Sequence, residues 1–191
     1  MSRKKRNSWQ DGAIYILTFA GILWAIEVIN SALGHRLNVF GIYPRELSGL
    51  WGLAFWPLLH GSIQHLAVNT TPFVVLGWFI AMRGPAIFLQ TTIMITLLAG
   101  GGVWAFGREA FHIGASGLVF GYFGFLVARG IYEKSISALA IACFTLFYYG
   151  GMIFGILPSD GFISWEAHLF GLFAGILAAR VVPVEAASEP G

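Results

Sequence analysis

The stretch PAIFLQTTIMITLLAGGGVWAF runs from Pro85 to Phe106 without one charged side chain. A chain carrying such a run has few ways to fold. No water satisfies the backbone in a bilayer core, so roughly 20 apolar residues are stable there only as a helix whose N–H and C=O groups bond to one another. Five further segments read the same way: 13–33, 60–82, 113–128, 136–157 and 167–183. The breaks between them fall at Arg83-Gly84-Pro85, Gly107–Phe111, Arg129–Lys134 and Pro158–Ser164, with a longer first loop at 34–58. Only 10% of the residues are charged, against about 25% in soluble domains. The expected fold is therefore all-α, a polytopic bundle of six transmembrane helices within residues 11–184. Polar tails flank it at 1–10 and 185–191.

Several alternatives fall away on composition. SRKKR precedes the first run, but no A-x-A-like cleavage site follows, so 13–33 reads as a helix rather than a leader. The single cysteine, Cys143, excludes an internal disulfide framework. A net charge of +2 is too small for a nucleic-acid footprint. Trp51, Trp56 and Trp165, at or near span ends, are expected as interfacial anchors.

Basic residues collect on the cytoplasmic side of short loops. With the N-terminus inside, Arg3, Lys4, Lys5, Arg6, Arg83, Arg129, Lys134 and Arg180 fall inside, while Arg36, Arg45 and Arg108 fall outside. Both termini are then cytoplasmic, and helices two, four and six all start at the outer face. Their first turns, LLHGSIQHLAVN, GASG and WEAHLFG, hold nearly every polar group in the spans. The fourth span is short, about 24 Å at 16 residues, so its start is expected to be recessed below the outer surface.

Ionisable residues inside a membrane are costly and are functional candidates by default. Ser116 and His168 begin two helices at one depth, and a histidine that accepts a serine proton activates a hydroxyl nucleophile. The pairs Gly117–Gly121 and Gly171–Gly175 are small-xxx-small patterns that let two helices approach closely. No acid completes a triad: Asp11 is cytoplasmic, Asp160 lies in the fifth loop, and Glu166, expected in the exposed loop two residues before His168, points elsewhere on a helix. A Ser–His dyad is the expected unit. His65 and Asn69, spaced i, i+4, share one face of helix two and can donate to a developing oxyanion, as can the Ser116 N–H. His60 is rotated away and is expected to organise the first loop or a water. Glu27, in the first span, is expected to hydrogen-bond a neighbouring helix.

Other chemistries fit less well. G-x-S-x-G is broken by Leu118. H-E-x-x-H is absent, so no metal is expected. Gly100-Gly101-Gly102 follows no strand and reads as close packing, not a nucleotide loop.

These residues resemble the rhomboid family of intramembrane serine proteases in its compact six-helix bacterial form. H-x-x-x-x-H-x-x-x-N appears as His60, His65 and Asn69, and G-x-S-G as Gly114-Ala115-Ser116-Gly117. A-H-x-x-G-x-x-x-G appears as Ala167, His168, Gly171 and Gly175. The likeness covers roughly 11–183. It implies Ser116 as nucleophile, His168 as general base, and oxyanion or substrate contacts from His65, Asn69 and Gly114, with no cofactor. It also implies membrane-protein substrates cut in the outer part of a spanning helix, and a bacterial cytoplasmic membrane as the setting. Two features depart from the family pattern. The first loop has Pro44-Arg45 and Trp51 in place of a Trp-Arg pair, and Phe120 replaces a tyrosine that stacks on the catalytic histidine. Two rivals are a non-proteolytic rhomboid-like protein that binds membrane clients, and a proton-coupled transporter. The first typically lacks the serine or histidine. The second needs a polar path that the apolar inner half does not offer. The glycine-rich YYGGMIFG at 148–155 marks helix five and the fifth loop as the candidate gate.

Overall fold

The computed structural model describes residues 8–159, 161 and 163–183. Residues 1–7 with their four basic side chains, Asp160, and the tail from 184 onward lie outside the described residues. Six helices carry the fold: α1 Ser8–Ala32, α2 Ile63–Ala81, α3 Pro85–Phe106, α4 Ser116–Glu133, α5 Ile136–Tyr149 and α6 Trp165–Val181. A 3₁₀ segment, Gly150–Ile156, extends α5. Gln10–Ala32, Ile63–Ala81, Pro85–Phe106 and Ile136–Ile156 are each long and apolar enough to cross a membrane. The molecule is an all-helical membrane protein.

Local chemistry sets the helix ends. Ser62, Ser135 and Ser164 cap α2, α5 and α6, each hydroxyl accepting a backbone N–H three residues on (His65, Ala138, Ala167) at 3.1–3.2 Å. Such caps satisfy donors that a helix leaves unpaired. Pro85 opens α3, where its missing N–H costs nothing.

α4 is the central helix: 14 of its 18 residues are buried, against Ala138, Ala142 and Thr145 alone in α5. α4 and α6 touch backbone to backbone. A methyl added at Gly171 would overlap the Gly117 carbonyl, and one at Gly175 the Gly121 carbonyl. α1 seats Ile16 in the notch left by Gly77 of α2, and Trp24 Nε1 donates to Thr70 Oγ1 at 3.1 Å. Tyr122 OH and Thr92 Oγ1 bond at 2.8 Å between α4 and α3, satisfying two hydroxyls within the apolar core.

Four expectations need correction. Helix four does not break at Arg129. It continues to Glu133, because Arg129 is buried with Glu133 one turn on, donates to the Val182 carbonyl, and lies near Arg83, which also pairs with Glu133. A charge pair within reach of a carbonyl makes the extra turn tolerable at a helix end. Trp56 is not an interfacial anchor. It is fully buried, its ring against Gly117 and its Nε1 donating to the Thr96 carbonyl at 3.2 Å, whereas Trp51 is exposed. Among the described residues Glu27 bonds no neighbouring helix. Its carboxylate meets Ser31 Oγ at 3.2 Å and His35 Nε2 at 3.1 Å, one turn on and just past the end of its own helix. Glu166 is buried rather than in an exposed loop.

The glycine run of α3 is packing on two faces. Gly100 lies against Leu53, Trp56 and Ile42 of the first loop, Gly102 lies against Phe170 of α6, and Gly101 faces open space.

Candidate active site

The approach to Ser116 is held at Gly114 and Ala115 by the stretch from Trp56 to His60. Gly114 N–H donates to the Trp56 carbonyl at 2.8 Å, and Ala115 N–H donates to His60 Nε2 at 3.2 Å. Just upstream, Ile42 and His112 exchange backbone hydrogen bonds of 3.1 and 2.8 Å, the one β-bridge among the described residues. Gly114 sits at φ +118°, a conformation that L side chains rarely adopt. A methyl there would also lie 2.8 Å from the His65 ring and 3.7 Å from Ser116 Oγ, so the glycine is what lets the imidazole approach the hydroxyl. Ser116 is the first residue of α4, where backbone N–H groups have no intrahelical partner and the helix dipole is positive. A developing negative charge next to Ser116 meets donors already in place.

His60 is fully buried and edge-on to His65, ring centroids 5.1 Å apart. Its Nε2 accepts from the Ala115 N–H, so in the neutral ring Nδ1 carries the proton; Nδ1 is buried with no hydrogen-bond partner within 3.5 Å among the described residues. His60 Nε2 thus anchors the loop that presents Ser116. Asn69 lies one turn deeper than His65 on the same helix, buried, and its Nδ2 donates to the His65 carbonyl at 2.9 Å.

His168 enters from α6. Its ring stacks on Phe120 with centroids 4.2 Å apart and planes 5° from parallel. Phe120 is one turn below Ser116, so the stack sets the imidazole beside the serine's end of α4. The Gly117–Gly171 contact lies one residue past the serine and three past the histidine, which is why the two helices meet there. His168 Nδ1 donates to the Gly155 carbonyl at 2.9 Å. Ser116 and His168 make no hydrogen bond to each other in this structure; catalytic hydrogen bonds in free sites are often long and tighten around substrate.

Several residues shape this end of the molecule through partners that the sequence does not mark. Arg108 spans the gap to the fifth loop, donating to the carbonyls of Ser159, Gly161 and Ile163 at 2.9, 3.0 and 2.6 Å, with its Nε 3.4 Å from Glu166. His112 is buried, its Nε2 bonding the Arg108 carbonyl at 2.9 Å and its Nδ1 meeting Ser164 Oγ at 2.6 Å. Burial lowers its pKa from the usual imidazole range, only partly offset by the bond to Arg108 and the charge of Glu166. Arg45, in the position of the departed Trp-Arg pair, donates to the Gly107 carbonyl at 2.7 Å and ties the first loop to the end of α3. The signal for these residues was weak: each is a polar residue in a loop, whose partner is set by tertiary placement.

No group of three or more His, Cys, Asp or Glu side chains among the described residues could hold a metal ion. Two apolar clefts of about 360 and 330 Å³, sharing Leu58, lie between the first loop, α1 and α3, and neither is lined by Ser116 or His168.

Residues 47–184 match the family model of the rhomboid domain. The chain is 40% identical over 187 residues to the uncharacterized protein Rv1337 of Mycobacterium tuberculosis, covering 93% of this chain and 78% of that one. It is 38% identical to ML1171 of Mycobacterium leprae, covering 93% and 74%. It is 26% identical over 170 residues to YdcA of Bacillus subtilis, named for the rhomboid proteases, covering 85% and 84%.

Proposed function

This chain belongs to the rhomboid family, and from that premise we propose that it is an intramembrane serine endopeptidase working through Ser116 and His168. The observation that carries the proposal is the near-parallel stack of His168 on Phe120, one turn below Ser116. In this mechanism Ser116 Oγ attacks the scissile carbonyl while its proton passes to His168 Nε2. The oxyanion forms beside the Ser116 N–H and the His65 ring, with Asn69 as a further donor. His168 then protonates the leaving amine, and water completes hydrolysis of the acyl-enzyme through the same base.

The setting we propose is a bundle of six spanning helices with both termini cytoplasmic, in a bacterial cytoplasmic membrane. With the 3₁₀ segment counted as part of α5, α4 and α6 are the two shortest members, at 18 and 17 residues, and the surrounding helices shield α4. The site then opens towards the outer face. The substrate class follows from depth: membrane proteins cut in the outer part of a spanning helix, where the helix must unwind before its carbonyls can be attacked. Helix-weakening residues near the bond favour this. Small side chains are expected at the bond itself, because packing around Gly117 and Gly171 leaves little room.

The test is cleavage of a panel of single-span membrane proteins by the purified protein, with products mapped by mass spectrometry. Ser116→Ala and His168→Ala are each expected to abolish cleavage, and the double variant to be no worse than either, because the pair acts as one unit. Substantial activity in Ser116→Ala would overturn the serine mechanism. Binding of clients without cleavage by the unaltered protein would favour the non-proteolytic reading.

A further inference from the structure

Serine hydrolases commonly orient the basic histidine through a third group on its far nitrogen. Here no carboxylate among the described residues bonds the His168 ring, and Glu166 is engaged by Arg108. The far nitrogen instead meets the backbone: Nδ1 lies 2.9 Å from the Gly155 carbonyl oxygen. Resting on the protease reading above, we propose that Gly155 is a positioning residue, whose carbonyl takes the third place in the catalytic unit and fixes neutral His168 as its Nδ1–H tautomer.

Three observations converge on this. A carbonyl only accepts, so the ring nitrogen facing it must carry the proton, and Nε2 is left with the lone pair. The proton balance follows. The serine proton goes to Nε2 as the Oγ–carbon bond forms, the Nδ1 proton stays on the ring, and the carbonyl stabilises the imidazolium as a dipole without taking a proton. Second, the carbonyl is available because Gly155 stands at the end of the 3₁₀ segment Gly150–Ile156, where the last carbonyls lack intrahelical partners. Third, position 155 is closed in a way the neighbouring glycines are not. A methyl at 155 would lie 2.9 Å from Phe120 Cζ and 3.3 Å from His168 Nδ1, while Gly150 and Gly151 have nothing within 4 Å. The glycine brings its carbonyl onto the ring edge while Phe120 covers the ring face, so one small segment and one aromatic define the imidazole in both directions.

The experiment uses the full-length protein in two measurements. In ¹⁵N-histidine-labelled protein, the His168 signals are identified by their loss in His168→Ala. They are expected to show the proton on Nδ1 at a pH where the ring is neutral, and a ring protonated on Nε2 overturns the proposal. The second measurement compares Gly155→Ala with Gly151→Ala. The rate of Ser116 modification by a fluorophosphonate reports nucleophile activation without any substrate helix having to unwind. Gly155→Ala is expected to slow both that modification and kcat by the same factor, about 10–100-fold, part of what a general base contributes, with KM unchanged. Gly151→Ala, on the same segment, is expected to match the unaltered protein in all three. Unaltered labelling in Gly155→Ala, with Ser116→Ala and His168→Ala inert, overturns this proposal and leaves the protease reading standing. Cleavage by Ser116→Ala overturns the protease reading itself. Should Gly155→Ala fail to fold, the tautomer measurement on the unaltered protein still decides.

Discussion

His112 shows how a single buried side chain can make a membrane protein sensitive to acid. The Arg108 carbonyl can only accept, so Nε2 carries the proton, and Nδ1 receives the Ser164 hydroxyl. That same hydroxyl oxygen accepts the Ala167 N–H and caps α6. His112 is therefore held neutral, with burial keeping its pKa below the ordinary imidazole value. In the unfolded chain the ring titrates near about 6.5. As pH falls below that, the unfolded state binds the proton first, so the His112 contribution is intact above the unfolded value and is lost on acidification through the folded one. The melting midpoint in detergent is expected to drop from pH 7 to pH 5. His112→Gln should start about 1–3 kcal/mol less stable, from buried polar groups left unpaired, yet show a flatter pH dependence. Equal slopes for the two proteins would assign the acid sensitivity to other groups.

Between elements, the closest contact is glycine on glycine. The carbonyls of Gly117 and Gly121 fill the space where side chains at 171 and 175 would stand. Gly175→Ala must push α6 away from α4, at an expected cost of about 1–3 kcal/mol for overpacking. Gly101→Ala in α3 meets open space and should gain roughly 0.5–1 kcal/mol from helix propensity. Denaturation of the two variants side by side separates contact from propensity; equal effects would mean that the α4–α6 interface relaxes freely. The sequence marked this interface, because two small-xxx-small patterns sit beside a serine and a histidine. The limits of α3 were legible to the residue, since Pro85 and Gly107 punctuate it. The end of α4 was not, because charges read as a loop until Glu133 is seen to lie within reach of both arginines. Helix five could not be divided into its α and 3₁₀ parts by hydropathy, which stays high across both. Within the site, His65, Ser116 and His168 were visible through spacing. The anchoring role of His60, the burial of Trp56 and the Gly155 carbonyl depend on contacts between distant segments, and a backbone acceptor leaves no mark in a side-chain pattern.

Across the whole molecule, the proposed chemistry draws on α2, α4, the tail of α5 and α6. α1 supplies none of the reacting groups and precedes the family match, which begins at residue 47. It is held laterally by the Ile16–Gly77 socket, the Phe19–Phe73 ring contact at 5.3 Å and the Trp24–Thr70 bond. Near its C-terminal end Asn30 Nδ2 reaches Asn38 Oδ1 at 2.9 Å and the His60 carbonyl at 3.4 Å. The chain leaves α1 through Gly34 and His35, both left-handed (φ +63° and +59°), and Gly34 is exposed with open space around it. Helices in a bilayer associate through packing and hydrogen bonds that need no covalent link, which makes this turn the natural place to sever the chain. With a site-specific protease sequence inserted between Gly34 and His35 and cut after purification, the two fragments are expected to co-migrate and to retain cleavage activity. Dissociation of the first fragment on cutting would show that the peptide bond, not the lateral contacts, holds it. If the fragments stay together, α1 behaves as a bound ligand of the other five helices, and its grip on Asn38 and the His60 carbonyl becomes an affinity that can be titrated with a synthetic helix.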